Sequence, residues 1–217
     1  MNYDLFDAID SDDSWTESIC ENAYVLRQFA NNDAESLWAA IQQVTQAAPF
    51  QHMKTPGGFT MSAALSSCGD VGWVSDRAGY RYSEVDPSTR QPWPEMSEVL
   101  AAFARKAAAE AGYRNYQPDA CLINRYPVGS KMSLHQDKNE RDFEQPIVSV
   151  SLGLPATFLF GGLSRSDKTI KVPLAHGDVV VWGGASRLNF HGILPVKAGY
   201  HPLIGEQRIN ITFRVAR

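Results

Sequence analysis

From residue 120 to the C-terminus the chain consists of short runs of strand character, at 120–126, 147–152, 157–160, 169–174, 178–182 and 207–215, punctuated by Gly and Pro clusters. No helical period separates them. Parallel strands need long, usually helical crossovers, so this pattern excludes a βαβ layout and predicts an antiparallel sandwich or barrel. The last run is the most regular: Ile209, Ile211, Phe213 and Val215 fall on one face, and Arg208, Asn210, Thr212 and Arg214 on the other. Two helices are expected upstream to cover one sheet. The first spans 34–48, with Asp33 as N-cap and Leu37, Ile41, Val44 and Ala48 on one face; the second follows Ser97, with Met96, Leu100, Phe103 and Ala107 aligned and Gly112 at its end.

With 217 residues, 44% hydrophobic, the chain suffices for one domain with a sizeable core. Residues 1–22 read as an acidic arm and 23–217 as the domain proper. Residues 56–94 mix Gly, Ser, Pro and aromatics, with too many turns for a core and too many aromatics for a plain linker. The formal charge of -4 argues against coating nucleic acid by bulk charge. It is unevenly placed: the first 26 residues hold seven acidic residues and no Lys or Arg, leaving 20 basic against 17 acidic residues in the rest. No run approaches the roughly 18 apolar residues of a membrane span, and the basic start of a signal peptide is lacking, so a soluble, cytoplasmic protein is expected; it is expected to act as a monomer. Cys20, Cys68 and Cys121 are far apart and form no C-x-x-C pair, which predicts inert thiols.

His135 and Asp137 flank one residue, and in extended chain this spacing puts an imidazole and a carboxylate on the same face. Two His and one carboxylate on one face of an octahedron is the arrangement of non-heme Fe(II) oxygenases, and zinc hydrolases use a similar set. His191 is preferred as third ligand for its β context, with His176 read as supporting a turn and His52 and His201 lacking ligand-like neighbours; spacing alone leaves the choice open. The polar face of 207–215 is either the wet side of an edge strand or the wall of a barrel interior. In the second case two guanidinium groups call for anions, and a dicarboxylate suits the planar fork of Arg. In 120–126, Leu122, Asn124 and Tyr126 share one face and add two hydrogen-bonding groups.

With these residues in view the chain resembles the AlkB family of Fe(II)/2-oxoglutarate dioxygenases. The likeness extends over about 26–214 and includes Thr55-Pro56-Gly57-Gly58, Gly72-Trp73, Gly79-Tyr80-Arg81-Tyr82, the segment from Gln117 to Tyr126, Val148 to Pro155 and Gly177 to Gly184. The resemblance implies a double-stranded β-helix (jelly-roll) core at about 115–217, mainly β with two flanking helices, and a nucleotide-recognition lid at about 50–95. It implies iron on His135, Asp137 and His191, and 2-oxoglutarate on Asn124, Tyr126, Arg208, Asn210 and Arg214, with Arg208 and Tyr126 at the distal carboxylate and Arg214 at the chelating end. Substrate would meet Thr55, Met61, Trp73, Tyr80, Tyr82, Lys131, Asn139 and Arg165, with Trp73 stacked on the base, Tyr80 and Tyr82 near phosphates and Arg165 at the pocket wall. Two positions depart from the family pattern. Asn139 stands where an aspartate is usual, removing a charge that would favour a cationic base, and Phe59 stands where a tyrosine is usual.

The activity so implied is DNA repair: oxidative demethylation of 1-methyladenine and 3-methylcytosine in single-stranded DNA, with RNA as a further substrate, using Fe(II), O2 and 2-oxoglutarate and releasing formaldehyde, succinate and CO2. Lys131, Lys138, Arg141, Arg165, Lys168, Arg77 and Arg81 are the candidate strand contacts. A 2-oxoglutarate-dependent hydroxylase acting on protein or a small molecule is the alternative within the same chemistry. A binding module that has lost catalysis conflicts with the intact ligand set.

Overall fold

A computed structural model of the protein, which describes residues 14–217, turns the strand runs into two antiparallel sheets that share a core. In chain order the elements are β1 (Trp15–Cys20), β2 (Ala23–Arg27), α1 (Ala34–Ala47), β3 (Ala64–Gly69), β4 (Gly72–Asp76), β5 (Gly79–Ser83), α2 (Glu98–Glu110), β6 (Ala120–Pro127), β7 (Met132–His135), β8 (Ile147–Gly153), β9 (Ala156–Phe160), β10 (Ile170–Leu174), β11 (Val179–Trp182), β12 (His191–Ile193) and β13 (Gln207–Arg214). The large sheet runs β1-β2-β11-β8-β13-β6-β3, the small one β10-β9-β12-β7, and β4 and β5 form a separate hairpin. This is a jelly-roll with two flanking helices.

Alternation decides which side chains face which layer. Ile209, Ile211 and Phe213 of β13 and Val179 and Val181 of β11 pack, fully buried, with Leu37 and Ile41 of α1 and Leu100 and Phe103 of α2. Each such side chain contributes about 1.5–3 kcal/mol by leaving water. The intervening Val180 and Trp182 face the small sheet, packing with Phe158, Phe160 and Ile193. Strand β13 lies between β8 and β6, so the wet edge-strand reading of its polar face is wrong. Arg208, Asn210, Thr212 and Arg214 are all buried between the sheets.

Three sequence readings need correction. The acidic arm was drawn to residue 22, but Trp15–Cys20 is the edge strand β1, laddered on β2 and held by the Glu17 to Arg27 ion pair at 2.7 Å. Its sparse apolar pattern hid it, because an edge strand gains its order from the neighbouring backbone. The remaining arm residues, 1–13, lie outside the described residues. Within the turn-rich 56–94 segment, expected to hold short strand-like pieces such as Phe59 to Leu65, a strand begins only at Ala64, while Phe59 stands 78% exposed beyond a turn. Asp33 and Ser97 occupy the N-cap positions of α1 and α2 without side-chain caps, and the Asp33 carboxylate meets Lys106 of α2 at 3.2 Å instead. The cysteines are free, with Cys68 and Cys121 buried opposite each other across β3 and β6.

Candidate metal centre and substrate lid

His135 ends β7 and His191 begins β12, and the antiparallel register sets them opposite each other with ring centroids 4.4 Å apart. Gly192 permits this approach, since a Cβ there would lie 2.7 Å from the Met132 carbonyl oxygen. Asp137 follows β7 by two residues, and its Oδ1 and Oδ2 each lie 3.7 Å from Nε2 of His135 and His191 respectively. One ligand atom from each residue falls within 4.8 Å of the others. Register thus selects His191. His176 instead accepts the Gly153 N–H at Nδ1, 3.0 Å, and stacks on His201 at 4.0 Å, which bears out its supporting role.

The donor set fits a divalent transition metal. Ser133 and Asn189 carbonyls, 2.9 and 3.0 Å from Nδ1 of His135 and His191, can only accept, so Nδ1 carries the proton and Nε2 presents its lone pair. Burial, reinforced by His135, pushes His191 down to about 4 and keeps it neutral, the metal-binding form. Burial alone would raise the Asp137 carboxyl, but Arg214 and the two histidines outweigh it and hold it well below the usual carboxylate range. Arg214 donates to Oδ2 of Asp137 from Nε at 3.1 Å and Nη2 at 2.5 Å.

Beside this cluster Arg208 presents an unmet demand. It is 1% exposed, its Nη2 donates to Ser151 Oγ at 3.0 Å, and its Nε and Nη1 have no partner among the described residues. Charge counting sharpens the point: Asp137 and Glu140 balance Arg214 and Arg187, whereas no carboxylate pairs with Arg208 among the described residues. Burial lowers its pKa, as expected for a cation awaiting an anion. Tyr126 lies under the guanidinium, 5.2 Å from ring centroid to Cζ, and Oδ1 of buried Asn124 also has no partner among the described residues. A carboxylate of 2-oxoglutarate fits this cradle. Asn210 differs from Asn124: its amide donates to Ser149 Oγ and the Val150 carbonyl and accepts from Thr212, so the protein already occupies both ends.

The β4–β5 hairpin is bonded to the loop that follows Asp137. Trp73 stacks on Tyr80, centroids 5.5 Å apart and planes 16° off parallel, and donates Nε1–H to Asn139 Oδ1 at 3.1 Å. Asn139 in turn donates to the Tyr80 carbonyl at 3.4 Å. Met61 and Trp73 pack on the Met53, Leu65 and Trp93 cluster, and the turn at Thr55 is closed by its N–H to the Phe59 carbonyl and by its Oγ1 accepting the Phe59 N–H. Ser62 bonds both backbone groups of Lys131, whose side chain is exposed. Arg165 reaches the Leu134 carbonyl at 2.5 Å and lies over Phe190, flanking both histidine ligands by one residue. Arg81 pairs with Asp76 at 2.8 Å on the exposed tip.

Tyr82 departs from expectation. Rather than standing near a phosphate, its hydroxyl donates to Glu140 Oε1 at 2.5 Å, inside the protein. Glu140 and Arg187, joined at 3.1 Å and both buried, were missed in the sequence. The run Asp137-Lys138-Asn139-Glu140-Arg141-Asp142 reads as a solvated charged loop, and nothing local marks Glu140 as buried.

Comparison with known proteins agrees with this chemistry. The profile of the 2OG-Fe(II) oxygenase superfamily matches residues 22–214. The chain is 53% identical over 212 residues, 98% of either protein, to the alpha-ketoglutarate-dependent dioxygenase AlkB of Escherichia coli. It is 32% identical over 160 residues to the DNA N(6)-methyladenine demethylase ALKBH1C of Arabidopsis thaliana, covering 62% of this chain and 35% of that one. The solved structure of OsALKBH1 superposes with a TM-score of 0.80 at 26% identity, covering 92% of this chain and 99% of the other. Cluster, cradle and kinship converge: the chain belongs to the AlkB family of the 2OG-Fe(II) oxygenase superfamily and is a dioxygenase dependent on Fe(II) and 2-oxoglutarate.

Proposed function

We propose that the protein removes N-linked methyl groups from 1-methyladenine and 3-methylcytosine in single-stranded DNA, and from the same bases in RNA. The observation that carries the reading is the stacked Trp73–Tyr80 pair tied by Asn139 to the loop that supplies Asp137. A flat aromatic platform anchored beside a metal cluster suits a base taken out of its stack. Methylation on the Watson–Crick edge weakens pairing, so the lesion itself eases flipping.

In this reading His135, Asp137 and His191 hold iron, Arg208 takes the distal carboxylate of 2-oxoglutarate with Tyr126 and Asn124 beside it, and Arg214 lies at the chelating end. When bound, iron, 2-oxoglutarate and O2 supply the oxidation of the methyl C–H bond, leaving succinate and CO2 and a hydroxymethyl adduct that loses formaldehyde. Trp73 offers its indole to the base, with Tyr80 stacked behind it. Asn139 orients Trp73 through Nε1 and, being neutral, does not select a cationic base by charge. Arg165, Lys131 and Thr55 line the strand approach, and Asn210 braces the wall through Ser149 and Thr212. All three metal ligands and both arginines come from one chain, which supports a monomer as the working form; a cytoplasmic site of action completes the proposal. Among the described residues no helix is long and apolar enough to cross a membrane.

Mass spectrometry of a short oligonucleotide carrying one methylated base, incubated with Fe(II), 2-oxoglutarate and O2, tests the proposal. Loss of the methyl mass supports it. Succinate formation that is indifferent to methylated oligonucleotides and responds to a protein or small molecule would reject it.

A further inference from the structure

Glu140 stands where the lid hairpin meets the metal centre. Its carboxylate is 2% exposed and touches three groups: Tyr82 Oη at 2.5 Å, Arg187 Nη2 at 3.1 Å and Arg214 Nε at 3.4 Å. The two arginines both run on to Asp137, Arg214 to the carboxylate Oδ2 and Arg187 to the backbone carbonyl at 2.8 Å. Arg187 is fixed further by the Gln145 carbonyl at 3.0 Å. Among these partners Tyr82 alone belongs to the hairpin, on β5.

We propose that Glu140 is a positioning residue that couples closure of the β4–β5 hairpin to the placement of Asp137. The inference rests on the reading of Asp137 as a metal ligand and of the hairpin as a lid. Physically, Arg214 is shared between two carboxylates. While Tyr82 donates to Glu140, part of the Glu140 charge is satisfied by the phenol, and Arg214 lies closer to Asp137 than to Glu140. Withdrawal of Tyr82 leaves a buried carboxylate short of a donor, and the nearest remedy is a shift of Arg214 toward it and away from Asp137. The linkage runs both ways: whatever holds Asp137 in place favours the closed hairpin, and closure favours the ligand geometry. An enzyme so built forms its full ligand set when the lid is down on a substrate.

Hydrogen exchange of the hairpin amides tests this without nucleic acid, using Mn(II) alone as the probe. In the wild-type protein saturating Mn(II) should slow exchange across residues 72–83 by about fivefold, the lower end of typical coupling between linked sites. In Tyr82→Phe and Glu140→Gln, Mn(II) should still bind, as read by its electron paramagnetic resonance, while the slowing drops below about twofold. A variant that merely loosens the hairpin would raise exchange equally with and without metal; slowing preserved in both variants therefore overturns the proposal. Absence of slowing in a wild-type protein that binds Mn(II) overturns it too. Failure of the wild type to bind Mn(II) would remove the metal assignment and the coupling with it. Tyr82→Phe deletes one hydroxyl and keeps the ring, so it stays informative even where Glu140→Gln destabilises the fold.

Discussion

Replacing Arg208 with Met should stabilise the protein when 2-oxoglutarate is absent and abolish the stabilisation that 2-oxoglutarate confers. The guanidinium is fully buried, with Nε and Nη1 lacking a hydrogen-bond partner among the described residues. At about 1–3 kcal/mol for each orphaned donor, the two cost roughly 2–6 kcal/mol. Against this stand one charge-assisted bond to Ser151, about 1.5–3 kcal/mol, and the Tyr126 contact, about 1 kcal/mol. The net favours Met by about 1 kcal/mol, or roughly 2–4 °C in Tm for a chain of this size. With ligand the sign reverses. Leaving a carboxylate buried without its cation costs about 3–5 kcal/mol, on the order of 10²–10⁴ in Kd. Thermal unfolding in Mn(II), with and without 2-oxoglutarate, reads both effects. At 100 times Kd the wild type should gain about 2.7 kcal/mol from the ligand, and the variant almost none. A variant that melts earlier without ligand and keeps the ligand-dependent rise would show that Arg208 is an ordinary structural cation.

Asp137→Ala should lower turnover by at least about 10³-fold through loss of a metal ligand, with Mn(II) binding by electron paramagnetic resonance weakened in parallel; unaltered demethylation would reject the ligand assignment. Trp73→Ala should raise KM for a methylated oligonucleotide by about 10- to 100-fold, since stacking on one base is worth about 1–3 kcal/mol, while substrate-free succinate formation is unchanged. His176 is pushed down to about 4 by burial and by His201, and the unfolded chain binds its proton near 6.5. Between those values the unfolded state carries more protons, so stability rises with pH across the window and falls on acidification. His176→Gln should flatten that fall in melts at pH 4.5, 5.5 and 7, and an unchanged slope would refute it. Log affinity for a single strand against log salt should be shallow, with a slope near -2 to -3 for three or four phosphate contacts at about -0.7 each; a much steeper slope would contradict the small basic surface.

Much of the site was legible because its chemistry sits on regular local patterns. His135-x-Asp137 and the alternation of Arg208 and Arg214 were readable, but strand periodicity left open whether the face carrying the two arginines is wet or buried. Tyr80 and Tyr82 share one face of β5, yet Tyr80 is exposed and Tyr82 reaches Glu140, because a period of two fixes the face and not where along the strand that face meets the protein. Trp73 and Asn139 were both singled out, yet the hydrogen bond between them joins residues 66 apart and left no local trace. Strand β1 escaped for a related reason: its order comes from β2 rather than from its own apolar content.

The sequence by itself determined the donor chemistry and the two-faced strands, because side-chain type and a period of two are properties of the local backbone. Tertiary structure alone decided that His191 rather than His176 completes the triad, through the register of β12 on β7. It also decided that the polar face of β13 is dry, which makes Arg208 a buried cation with no carboxylate paired to it among the described residues rather than a surface charge. Pairing between distant strands is settled by the packing of whole layers, and a buried charge takes its meaning from partners that no neighbour in sequence supplies.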